Sequence, residues 1–145
     1  MSKPRFQFFS AAYLIISQDN KILLIRRFNT GWQDGMYDLP AGHLEGNETV
    51  EDAVIREAKE EVDLDIDPGS LKIVHVLHRN SGEREYFDFF LESKDWKGSP
   101  KINELDKHDD LAWFDLDNIP ENTISHIRTV IDHWRGGKVF SNVGF

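Results

Sequence analysis

Between Leu39 and Leu64 the chain reads LPAGHLEGNETVEDAVIREAKEEVDL, a stretch dense in carboxylates. On a helix, at about 100° per residue, Glu57, Glu60 and Glu61 fall within an arc of roughly 100°. Three like charges so close repel one another and cost helix stability, so something positive belongs among them. Arg56 lies four residues before Glu60 and can reach it along the helix, while nothing in the sequence requires it to face its neighbour Glu57. A divalent cation is the stronger candidate, because hard ions such as Mg2+ take oxygen ligands and keep room for phosphates. A solvated acidic helix face is the plain alternative, and a glutamate-rich helix alone would favour it. The fixed pattern around the glutamates is what shifts the balance.

That pattern is built by the elements that must position them. Thr49, followed three residues later by Asp52, reads as a helix N-cap with a capping-box partner. From there Val50, Val54, Ala58 and Val62 recur every four residues and form one apolar stripe. Gly42 and Gly46 punctuate the loop before the helix, which ends at Glu48-Thr49.

Gly42, five residues, Glu48, seven residues, then Arg56-Glu57-Ala58-Lys59-Glu60-Glu61-Val62-Asp63-Leu64 resembles the signature of the Nudix hydrolases. Every charged position of that signature is met. Asp63 stands where the family has Gly; that glycine ends the helix in a left-handed conformation, which Asp tolerates. Ala41 stands where many members have a second Gly, at a position used through its backbone carbonyl. A second stretch of likeness to one uncharacterised branch of the family covers Asn29-Thr30-Gly31, His43-Leu44-Glu45, His78-Arg79 and Trp96 to Glu104, with Leu105 in place of a proline.

The resemblance implies an α+β fold, an α/β/α sandwich with a mixed β-sheet. It also implies hydrolysis of a nucleoside diphosphate linked to another moiety, dependent on Mg2+ or Mn2+. Glu57, Glu60, Glu61 and the Ala41 carbonyl would hold the cation, and Arg56 and Glu48 would orient the glutamates. The general base would be one of these glutamates or Glu104, with Asp109 as a second loop carboxylate. Arg27, Trp32, His43 and Arg79 are the candidate substrate contacts. A nucleoside triphosphate cleaved to monophosphate and pyrophosphate is the first expectation, and ADP-ribose or another nucleotide sugar or dinucleotide the second. A nucleotide-sensing module without catalysis would be expected to lack one of the three glutamates, and all are present.

At 145 residues the chain is expected to form one domain. Its net charge of −9 argues against a nucleic-acid polymer as partner; a small anionic substrate would enter an acidic cleft only beside cations. No apolar run approaches a membrane span, and Met1 to Arg5 leads into an aromatic stretch instead of a signal-peptide core. The absence of cysteine excludes disulfides and thiolate metal sites. A cytoplasmic location fits, and a homodimer is possible.

Along the chain, Phe6 to Ser17 and Ile22 to Ile25 read as a strand hairpin, with Arg26 and Arg27 closing the second strand. Strand alternation favours Arg27 over Arg26 as the arginine in a cleft. The loop from Phe28 to Met36 carries Trp32, which would either stack on a base or cap the core. Asp65 to Ser70 reads as a linker, and Leu71 to Arg79 with Arg84 to Glu92 as a second hairpin. On the first of these strands His75 and His78 face opposite sides, and Asp88 on the other reads equally as an edge or a site residue. Ser93 to Asp110 reads as a long polar loop, Leu111 to Phe114 as a last strand, and Thr123 to Arg135 as a second amphipathic helix ended by Gly136-Gly137.

Overall fold

The computed structural model describes residues 3–145; Met1 and Ser2, where the absence of a signal peptide was read, lie outside them. Strand β1 (Phe9–Gln18) turns back through Asp19 and Asn20, both left-handed at φ 52° and 60°, into β2 (Lys21–Arg27). That paired positive φ is the tight hairpin turn that a right-twisted strand pair requires. The short strands β3 (Tyr37–Asp38) and β4 (Ala41–His43) lead to helix α1 (Val50–Val62). Next come β5 (Asp65–Ile66), β6 (Lys72–Asn80), β7 (Glu85–Ser93), β8 (Trp96–Lys97) and β9 (His108–Asp115). Helix α2 (Ser125–Arg135) and β10 (Phe140–Val143) complete the chain.

The main sheet runs β10-β6-β7-β1-β2-β3, with β4 also on β1 and β9 also on β2. It is mixed: β1 lies parallel to β7 and β10 parallel to β6, while the hairpin pairs are antiparallel. Alternation along β1 sends Tyr13 and Ile15 to one face and Leu14 and Ile16 to the other. The first face packs on Ile127, Val130 and Ile131 of α2, and the second on Val54, Ala58 and Val62 of α1. The result is the expected sandwich of a mixed sheet between two helices.

Four expectations need correction. The first strand starts at Phe9, because Phe6 and Phe8 are exposed and pack on each other, and Phe8 packs on Phe87, outside the ladder. The linker after α1 contains β5, which pairs with β8 from the supposed loop. Strand β9 begins at His108, three residues early, because β2 offers its ladder as far as Arg27. The last strand, β10, was not read at all: Ser141 and the Lys138 carbonyl both bond the ring of His75 and fasten this segment to β6. No helix among the described residues is long and apolar enough to cross a membrane.

Candidate active site

Helix α1 starts as its sequence dictates. Thr49 accepts from the Asp52 N–H at 3.0 Å and the Asp52 carboxylate accepts from the Thr49 N–H at 3.3 Å. It ends at Asp63 in the left-handed conformation (φ 58°), with the carboxylate beside Lys59 and Lys101. Between these caps, Arg56 is the hub of the acidic face. Its guanidinium lies 3.0 Å from Glu48, 2.6 Å from Glu57, 3.4 Å from Glu60 and 3.4 Å from Glu45. The sequence did not require Arg56 to face Glu57, yet this is its shortest ion pair, since χ rotation lets adjacent long side chains converge. Arg56 and the Glu45 N–H hold Glu48 below the ordinary carboxylate range.

Glu57 and Glu61 face inward. Burial raises both above the usual range, that of Glu61 strongly, with repulsion from Glu57, Asp38 and Glu104 adding to it. Glu61 is 8% exposed and accepts from the Ala41 N–H at 3.1 Å. Gly42 is there for Glu57: a Cβ at that position would overlap the Glu57 carboxylate. Glu60 sits on the outer side, half exposed.

The polar segment after β8 is ordered by the end of the same helix. The N–H groups of Lys101 and Asn103 donate to the carbonyls of Val62 and Glu61, each at 3.0 Å, and the Asn103 amide to that of Lys59 at 2.9 Å. Carbonyls of a last helical turn lack intrahelical donors, and this segment supplies them. It thereby sets Glu104 close enough to Glu57 and Glu61 to raise both. Asp109 is elsewhere, paired with Arg26 at 2.7 Å.

Above Ala41 and Gly42 opens a cavity of about 580 Å3, which Glu61 also lines. Arg27, Trp32, Asp38 and His108 line it, as do Arg79, Arg84 and Tyr86. The Arg27 guanidinium lies 4.9 Å from the Trp32 ring centre and donates to the Trp32 carbonyl and Thr30 hydroxyl. The Arg79 guanidinium lies 4.1 Å from the Tyr86 ring and bonds Asp88 at 2.8 Å.

A NUDIX domain model matches residues 8–134. The chain belongs to the Nudix hydrolase family. It is 33% identical over 141 residues to an ADP-ribose pyrophosphatase of Methanocaldococcus jannaschii, covering 85% of this chain and 72% of that protein. It is 32% identical over 101 residues to an 8-oxo-dGTP diphosphatase of Proteus vulgaris, covering 66% and 89%. Among solved structures, a MutT NUDIX hydrolase from Burkholderia pseudomallei superposes with a TM-score of 0.80 at 26% identity, covering 87% of this chain and 97% of that one. This Nudix protein is accordingly an enzyme, a pyrophosphohydrolase of a nucleotide substrate.

Of the candidate residues, Arg27, Trp32, Ala41, His43, Glu61 and Arg79 line the cavity of the Nudix fold. Glu57 lies under Gly42, and Glu60 and Glu104 flank the same end of α1. Among the described residues no three His, Asp or Glu side chains stand gathered as a ready cation cage: Glu57 is drawn to Arg56, and Glu61 to the Ala41 N–H. The donor set nevertheless suits a hard divalent cation, being carboxylate oxygens that repel one another, with Gly42 keeping the approach open. The sequence reading missed Asp38, His108, Tyr86 and Arg84, and left Asp88 undecided. Asp38 offered one signal, an acid inside an apolar extended segment; His108 offered none, because it lies in the polar stretch before Leu111 that reads as loop.

Proposed function

We propose that this protein hydrolyses a nucleoside triphosphate to the monophosphate and pyrophosphate, with its phosphates over Glu57, Glu60 and Glu61. What supports this reading is the cavity itself: at about 580 Å3 it has the size of a site for one small ligand, and its lining includes Trp32, which suits a base, and Glu61 of the acidic helix. Glu57, Glu60, Glu61 and the Ala41 carbonyl would hold Mg2+ or Mn2+, which when bound supplies positive charge for the diphosphate and acidifies water. The chain's own groups do the rest. Arg56 aligns Glu48, Glu57 and Glu60 by its ion pairs. Arg27, two of whose nitrogens hold the Trp32 loop, offers Nη1 to the substrate. Glu104 or Glu61, whose carboxylates repel each other, takes the proton from the attacking water, and positioning does most of the work.

ADP-ribose is the second reading. It is favoured by the name of the M. jannaschii relative and by Arg79 and Arg84 in the cavity lining, which suit a second phosphorylated sugar. Product analysis with Mg2+ separates the two: pyrophosphate from triphosphates supports the first, and AMP with ribose 5-phosphate from ADP-ribose the second. Turnover of neither would overturn both.

A further inference from the structure

Two buried side chains take no part in the chemistry assigned to α1. His108 is 5% exposed and Asp38 6% exposed, and both line the cavity. They stand on strands flanking β2, with Asp38 opposite Ile25 and His108 opposite Arg27. Each carries a polar atom without a hydrogen bond. His108 Nδ1 is buried with no partner. Asp38 Oδ1 accepts from the Leu39 N–H at 2.8 Å, but Oδ2 has only Arg27 Nη1, at 3.9 Å. For His108 Nδ1, buried without a partner, the cost is about 1–3 kcal/mol, and native proteins retain few such atoms. The ion pair with Arg27 is a poor account of Asp38, because at 3.9 Å it is too long for a hydrogen bond while the other two guanidinium nitrogens hold Trp32 and Thr30.

Ionised, as it is above about pH 7, the Asp38 oxygen calls for a donor. A phosphate is excluded by charge, since a carboxylate oxygen repels it. A nucleotide offers two donors that fit: a base amine or a sugar hydroxyl. Burial between three strands, beside the exposed indole of Trp32, suits the flat edge of a base. We propose that Asp38, seconded by His108, reads the nucleobase: its free carboxylate oxygen accepts from an exocyclic amine and selects amino-bearing bases over their oxo counterparts. The inference rests on the cavity being a nucleotide site, and not on which nucleotide is cleaved.

The test compares kcat/KM within two pairs that differ in that one group, CTP with UTP and ATP with ITP. It is run at pH 8.5, above the Asp38 pKa of about 7. The wild type should favour the amino member of a pair by about tenfold or more. Asp38→Asn should bring that ratio to near one or invert it, because an amide can turn an N–H toward an oxo oxygen. His108→Gln should weaken the preference without inverting it. If ADP-ribose is the substrate instead, ADP-ribose and its hypoxanthine analogue give the same ratio, so failure of the triphosphate reading stays distinguishable. Calorimetric binding of CMP and UMP to the wild type gives a readout that does not depend on a variant folding. Equal use and binding of both members of each pair overturns the proposal. So does an unchanged ratio in a folded Asp38→Asn, an effect that follows ribose against deoxyribose, or no nucleotide binding at all.

Discussion

A methyl group at Gly42 would enter the space of the Glu57 carboxylate, so Gly42→Ala must push that side chain off its place under the cavity. A displacement of about 1 Å at a reacting centre costs roughly 10²-fold in rate. Gly42→Ala should lose that much kcat while circular dichroism shows an intact fold. Asp38 makes a separate prediction. Burial lifts its carboxyl from 3.8 to about 7, so between these pH values the native protein keeps a proton that the unfolded chain has released. Stability from this group therefore falls as pH rises through that window, by at most about 4 kcal/mol. Asn carries no charge to bury. Asp38→Asn should melt several degrees above the wild type at pH 8.5, and the difference should vanish towards pH 4. The contrast between Glu57 and Asp38 shows what residue types reveal. The inward pair Glu57 and Glu61 was legible because a spacing of four puts both on one helix face, whereas Glu60 turns to the outer side. Asp38 was less so, since its strand β3 pairs with β2 only across the loop from Phe28 to Met36.

At the scale of elements, the segment from Lys101 to Lys107 is held by the last carbonyls of α1. Asn103→Ala removes the bond to the Lys59 carbonyl. It should cost about 1 kcal/mol of stability and lower kcat with little change in KM, because Glu104 loses its anchor while the cavity keeps its walls. Equal kcat in Asn103→Ala and wild type would detach this segment from the chemistry. The helix itself was readable to within its caps: Thr49, Asp52 and Asp63 act locally, and each does what its type suggests. The segment that serves α1 was not, for Asn103 finds its partner at the Lys59 carbonyl, 44 residues away, and nothing in SPKINELDK shows that. Strand β10 escaped for the same reason: the His75 ring that fastens it is 66 residues from Ser141.

At the scale of the molecule, one mixed sheet with a helix on each face brings β2, β3, β4, β9 and the end of the β6–β7 hairpin around a single cavity over α1. A chain of net charge −9 repels a polyanion from that cavity unless Arg56 and added cations offset its carboxylates. Nucleotide binding should therefore weaken when EDTA is present, and more so at low salt, where screening is least; titration calorimetry reads both. If the inner carboxylates of α1 carry a divalent-cation-dependent hydrolysis, turnover of the best nucleotide by wild type and Glu61→Gln, each with Mg2+, Mn2+ and EDTA, will show it. The wild type should release phosphate products only with a cation, and a folded Glu61→Gln should have a kcat about 10²-fold lower or worse. Turnover that survives EDTA, or equal turnover in the two proteins, would contradict it.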